Sequence, residues 1–120
     1  VQRVPNDDPH GPIRRRRHYT GQRNAHGQRY IVRNVDLEPS AFPGSESACL
    51  NEAMQAVAAA FSTRVPAVVS SHRVNFMGSL DADNRARGLR VLSRFLEGVQ
   101  ARWPRVEFMS TDELGELMNA

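Results

Sequence analysis

A histidine stands where a short apolar run of the sequence ends. The segment SSHRVNF (70–76) follows VPAVV (65–69), whose composition is typical of a strand buried on both faces. Histidine side chains titrate near neutral pH, so His72 is a candidate catalytic group for proton transfer, or a candidate metal ligand. The structural alternative is that His72 and Asn75 bond backbone groups of the loop. The position after a strand favours a functional role, because binding residues concentrate on such loops.

Further polar side chains follow an earlier predicted strand, RYIVRNV (29–35). Arg33 or Arg73 could hold a carboxylate or stabilise an oxyanion, although surface salt bridges are an alternative role for both. Glu38 could orient or deprotonate a partner. Because the carboxyl ends of parallel strands share one edge of a sheet, these groups should meet near His72. The predicted substrate-binding residues are Arg33, Asn34, Glu38, Arg73 and Asn75.

Three consecutive strand–helix units are predicted to position these residues. The strands cover 29–35, 65–70 and 106–109, and the helices cover 46–62, 83–102 and 112–118. Ser45 is the expected N-cap of the first helix, and Ser110 with Glu113 fits a capping box before the last. Alternation of this kind indicates an α/β fold with right-handed βαβ units and a parallel sheet. Three units correspond to half of a (β/α) barrel or half of a doubly wound sheet.

The two long helices each show an apolar face at helical spacing. The single cysteine, Cys49, lies among Ala and Leu in the first of these helices, where a buried and inert thiol is expected. The first face consists of Leu50, Ala53, Met54, Val57 and Phe61, and the second of Leu89, Leu92, Phe95, Leu96 and Val99.

The charge is concentrated near the amino end. Residues 1–35 contain eight arginines and two aspartates, a net charge of +6, whereas residues 36–120 contain eight arginines and eleven acidic residues, a net charge of −3. Residues 1–28 are predicted to be an irregular segment rich in Arg, Pro and Gly, and residues 29–120 to form the folded domain. No aromatic platform, zinc-ligand spacing or helix-turn-helix pattern accompanies RRRR (14–17), so nucleic-acid binding is disfavoured.

Several classes of site lack their signatures in this sequence. HxxxH, HExxH and CxxC spacings are absent, and so are the GxGxxG, GxxxxGK[ST] and GxSxG motifs. No apolar run approaches the ~18 residues of a membrane span, and no signal-peptide core is found at the start. The compartment stays undetermined.

Three segments resemble one family when they are found in this order: GQRNAHGQRYIVRNVDLEPS (21–40), PAVVSSHRVNFMGSLDADNRARGL (66–89) and RWPRVEFMSTDELGELM (102–118). Together they resemble the C-terminal part of polysaccharide deacetylase-like proteins. The resemblance implies a distorted (β/α) barrel and the hydrolytic removal of acyl groups from N-acylated amino sugars. It also implies a divalent metal, zinc or a similar ion, and a late-strand histidine as general acid, which only His72 could match.

The family's metal-binding Asp and HxxxH motif, and its catalytic base, have no match in this chain. We therefore expect the C-terminal portion of a larger hydrolase, inactive alone, with no cofactor of its own and a carbohydrate as substrate. An exposed sheet edge would favour self-association. The alternative is a non-catalytic α/β module that binds a carbohydrate or another anionic partner through an Arg-rich edge.

Overall fold

The computed structural model describes residues 2–3 and 15–119. By its contacts the chain divides into two compact units. The central unit is Arg33–Met109, and the terminal unit combines the described residues up to Val32 with those from Ser110 onwards. The strands are β1 (Gln2–Arg3), β2 (Arg15–Arg16), β3 (Val35–Asp36) and β4 (Val69–Ser70), and the helices are α1 (Glu46–Ser62), α2 (Ala82–Arg102) and α3 (Thr111–Asn119).

The central unit is a mixed α/β arrangement built on one parallel strand pair. β3 pairs with β4 so that Val35 lies opposite Val69 and Asp36 opposite Ser70. A 3-10 turn follows each strand, Pro39–Ala41 after β3 and Arg73–Phe76 after β4. The predicted α/β class with parallel strands is therefore confirmed at this level.

Helix α1 has the bounds that the sequence predicts. The side chain of Ser45 accepts a hydrogen bond from the amide of Ala48, as expected of an N-cap. Ala53 and Val57 of the predicted face are buried, and the free thiol of Cys49 is buried beside them, as predicted. These side chains pack in one core with β3 and α2, and its buried members are Val35, Leu37, Cys49, Ala53, Val57, Val91, Phe95 and Val99.

Helix α2 begins one residue before its predicted start and faces the core differently. Asp81 caps it, since its carboxylate accepts a hydrogen bond from the amide of Asp83. The buried residues are Gly88, Val91, Phe95 and Val99, whereas the predicted core residues Leu89 and Leu96 are 45% and 38% exposed. The prediction of the face was wrong for these two leucines, because Gly88 lets the side of the helix that carries Val91, Phe95 and Val99 approach the loop at Asn75.

Two of the three predicted strands are shorter than expected, and the third is absent. Tyr30 and Val32 hydrogen-bond to Gln22 and Thr20 in the terminal unit, so most of the predicted strand 29–35 lies outside the sheet. The amide of Val68 donates to the side chain of Asn34, which limits β4 to two residues. Residues 106–109 form no strand, because the amide of Val106 instead donates to the Trp103 carbonyl in a turn. The predicted third strand was therefore wrong.

The irregular segment predicted for residues 1–28 falls partly outside the described residues, which omit 4–14, and its described part contains some regular structure. β1 and β2 pair antiparallel, and a single antiparallel bridge joins Arg23 to Arg29. The predicted capping box of α3 is confirmed: the amide of Glu113 donates to Ser110 Oγ, and the amide of Ser110 donates to the Glu113 carboxylate. No helix of the described residues has the length and apolarity needed to cross a membrane.

Candidate functional site

Glu38 and His72 form a close pair where β3 and β4 end. Nδ1 of His72 lies 2.7 Å from Oε1 of Glu38. The backbone amide of His72 donates to the same oxygen at 3.0 Å, so the carboxylate holds both the residue and its ring. Because an ionised carboxylate only accepts, Nδ1 must carry the proton of this hydrogen bond. The side chain of His72 is 74% exposed, against 20% for Glu38, so the oriented ring is open to a ligand.

Asn75 fixes the other side of the Glu38 carboxylate. Its side chain is fully buried, and its Nδ2 donates to Oε2 of Glu38 at 2.6 Å and to the His72 carbonyl at 2.9 Å. Its Oδ1 accepts from the amide and the hydroxyl of Ser40, at 3.0 and 2.7 Å. Ser71 completes the network by donating from its hydroxyl to the Leu37 carbonyl. Glu38, Ser40, Ser71, His72 and Asn75 are called the carboxyl-edge cluster here.

Helix α2 holds the 3-10 turn that bears His72 and Asn75. Nδ2 of Asn84 donates to the carbonyls of Val74 and Met77, at 2.8 and 2.9 Å. A side chain at Gly88 would overlap the carbonyl oxygen of Asn75 and lie 3.0 Å from its carbon, so this close approach requires glycine. The first turns of α2 therefore position the cluster without contributing to it.

The structure brings together some of the predicted site residues and not others. Glu38 and Asn75 surround His72, as the shared sheet edge predicts. Asn34 lies elsewhere, because its side chain donates to the Pro66 carbonyl and accepts from Val68, before β4 begins. Arg33 reaches Ser70 Oγ at 3.4 Å, and Arg73 makes no hydrogen bond or ion pair with the described residues.

Sequence reasoning missed the supporting residues of the site. Ser40 lies in the phrase EPS, and Asn84 and Gly88 lie in NRARGL, both within the segments quoted for the resemblance. The structure brings residues of both phrases to the network that SSHRVNF forms.

The environment of Glu38 favours its ionised form. Burial by itself raises the pKa of the carboxyl group, but hydrogen bonds from Asn75 and His72, and the charge of His72, leave that pKa below the ordinary value of 4.5. A group with a depressed pKa stabilises the folded state above its unfolded pKa, and this contribution is lost as the pH falls through the folded value.

Replacing Glu38 with glutamine is therefore expected to destabilise the protein in a pH-dependent way. The introduced glutamine accepts hydrogen bonds only through its amide oxygen. Its NH₂ group would therefore face a donor of either Asn75 or His72. The loss should be about 2 kcal/mol near pH 7, and it should shrink as the pH falls below about 4.5. Urea unfolding of E38Q and the parent chain from pH 3 to pH 7 measures both. The control is E107Q, at an exposed position of the same unit, and a pH-independent loss for E38Q would contradict the argument.

The described residues do not provide a set of metal ligands. No group of three or more His, Cys, Asp or Glu side chains among them could hold a metal ion. The carboxyl-edge cluster provides only the carboxylate and the imidazole, which already bond to each other. The metal implied by the resemblance therefore does not fit the residues described here.

Comparisons with known proteins give no identification. No model of a protein family, no curated protein and no solved structure matches this chain.

Proposed function

We propose that this chain is the C-terminal part of a polysaccharide deacetylase-like hydrolase, in which His72 acts as a general acid. The observation that carries the proposal is the pair of an exposed His72 ring and a Glu38 carboxylate 2.7 Å from its Nδ1. An acid–base histidine needs an oriented ring with its second nitrogen accessible. A histidine that only completes loop hydrogen bonds has no need for that accessibility.

The proton transfer follows from this orientation. Water adds to the carbonyl carbon of an N-acyl group, and the C–N bond then breaks. The leaving nitrogen takes a proton from Nε2 of His72, while Nδ1 keeps its hydrogen bond to Glu38. The products are a free amine and a carboxylic acid, and the water's own proton returns to the imidazole through a base outside this chain. Glu38 keeps the ring oriented by accepting the hydrogen bond of Nδ1.

Two features support the more detailed assignment. Phrases from two of the three segments that carry the resemblance, 21–40 and 66–89, meet at this one cluster. The parallel pair β3–β4, with α1 and α2 beside it, would be two neighbouring strands of a distorted (β/α) barrel. No step is assigned to a metal, because the described residues provide no ligand set for one.

Acetate release tests this proposal. The complete reading frame that encodes this chain is expressed with zinc supplied and incubated with N-acetylated glucosamine oligomers. We expect free acetate in the soluble product, and an aspartate pair and HxxxH motif in the sequence upstream of Val1. A reading frame without those motifs that releases no acetate would overturn the proposal.

The second candidate is the non-catalytic module that binds an anionic carbohydrate. Arg73 favours it, because this arginine stands beside His72 and has no hydrogen-bond or ion-pair partner among the described residues. Binding of an acidic oligosaccharide without turnover, lost in R73Q and retained in H72A, would favour this candidate over the hydrolase.

A further inference from the structure

A row of arginines lines an open cleft in the central unit. Arg87, Arg90 and Arg94 follow one another on α2 at spacings of three and four residues, which places them on one face of the helix. They line a cleft of about 600 Å³ together with the first turn of α1. The cleft shares no residue with the carboxyl-edge cluster, so its role is independent of the proposed hydrolase.

The cleft contains fewer carboxylates than arginines. Glu46 bonds to Arg90 at 2.6 Å and lies 3.7 Å from Arg94, so one carboxylate faces two guanidinium groups. Asp83 also lines the cleft, but it forms no ion pair within the described residues. Two acidic groups therefore face three arginines, and most of these guanidinium N–H groups have no acceptor within the described part of the chain.

Arg87 has a buried donor without a partner. Its Nη2 donates to Asn84 at 3.1 Å, but its Nε is buried and has no acceptor among the described residues. Buried N–H groups are nearly always paired in folded proteins, so this donor is an exception within a residue that lines the cleft. The charge imbalance, rather than this donor, favours a negatively charged ligand.

The first turn of α1 adds donors to the same cleft. The amides of Glu46 and Ser47 make no hydrogen bonds among the described residues, whereas that of Ala48 is taken by Ser45. Free amides and the positive end of the helix dipole favour anions. They supplement the arginine row, which is the main basis of the site.

We propose that this cleft binds a phosphate group. A phosphate has several acceptor oxygens in a tetrahedral arrangement and carries up to two charges, so it can accept from two guanidinium groups and an amide at once. A bound phosphate would replace Glu46 as the partner of Arg90 and Arg94. Glu46 is thus a competitor of the ligand as well as an internal partner of the arginines.

Two kinds of substitution test this proposal. Removing an arginine of the cleft should weaken phosphate binding, and removing the charge of Glu46 should strengthen it. Calorimetric titration at low ionic strength uses inorganic phosphate and, in a second arm, glucose 6-phosphate. We expect R87Q and R90Q each to weaken binding about tenfold and E46Q to strengthen it about threefold. R105Q, which removes an exposed arginine outside the cleft, should leave the affinity unchanged. Tighter binding of the sugar phosphate would identify a phosphate ester as the source of the ligand, and equal affinity would identify free phosphate.

Circular dichroism verifies that each variant is folded, and R87K and R90K replace any that is not. Lysine keeps the positive charge but lacks the paired N–H donors of the guanidinium group, so an intermediate affinity is expected. Absence of binding in both arms would overturn the proposal. An equal loss in R105Q would also overturn it, because the effect would then be one of net charge.

Discussion

Replacing Gly88 with alanine is expected to destabilise the central unit by about 3 kcal/mol, a cost typical of overpacking. The new Cβ would overlap the carbonyl oxygen of Asn75 and lie 3.3 Å from the ring of Phe76. The first obstacle is backbone, which cannot rotate away as a flexible side chain can. Either α2 withdraws from the core or the 3-10 turn moves, and the second change would separate Asn75 from Glu38.

Helix propensity alone predicts the opposite sign, because alanine is favoured over glycine in a helix interior by about 1 kcal/mol. The matched control is Gly98→Ala on the same helix, where the new Cβ would meet only Met54, at 3.5 Å. G98A should be neutral or stabilising by up to about 1 kcal/mol. Urea unfolding of both variants measures the difference, and a G88A variant as stable as G98A would show that the close approach is not needed.

Local sequence chemistry was enough to predict some helix ends, but not the orientation of α2. The bounds of α1 and the capping box of α3 follow from local chemistry, so Ser45, Ser110 and Glu113 could be placed from sequence alone. The orientation of α2 could not be. Leu89 and Leu96 have the apolarity of core residues, but the space beside Gly88 decides which side of the helix meets the loop, and that is a tertiary property.

The strands show a second limit of local pattern. The residues Tyr30, Ile31 and Val32 favour strand structure anywhere, yet hydrogen bonds within the terminal unit remove them from the parallel pair. For the site, the rule that parallel strands end at one edge correctly placed Glu38 and Asn75 beside His72. The same rule did not predict the position of Asn34, because it does not specify the residue at which hydrogen bonding between the two strands begins.

If the proposed function holds, replacing His72 with alanine in the product of the full reading frame should reduce acetate release by about 10²–10⁴-fold, the usual contribution of a general acid. The side chain is 74% exposed and belongs to no core cluster, so unfolding free energy should change by less than about 1 kcal/mol. The measurements are the initial rate with N-acetylated glucosamine oligomers and the urea midpoint of the same preparations. His26→Ala removes an exposed histidine from the terminal unit and is the matched control for both.

The pH dependence separates catalysis by His72 from a role in positioning. A general acid must be protonated to act, so the rate of the parent protein should fall on the alkaline side, and H72A should lose that limb. E38Q keeps the imidazole but loses the carboxylate that holds Nδ1, so the limb should persist in E38Q at a reduced rate. A limb that persists in H72A would assign the titration to another group.

A loss of activity in H72A that merely followed a loss of folded protein would favour the structural role instead. The geometry argues against that outcome, because the buried member of the network is Asn75, and His72 contributes its backbone amide to Glu38 whatever its side chain. N75A should therefore be the less stable variant of the two, since it orphans Ser40 and one carboxylate oxygen of Glu38. If both variants behave as expected, the exposed His72 ring serves the chemistry and the buried Asn75 amide serves folding.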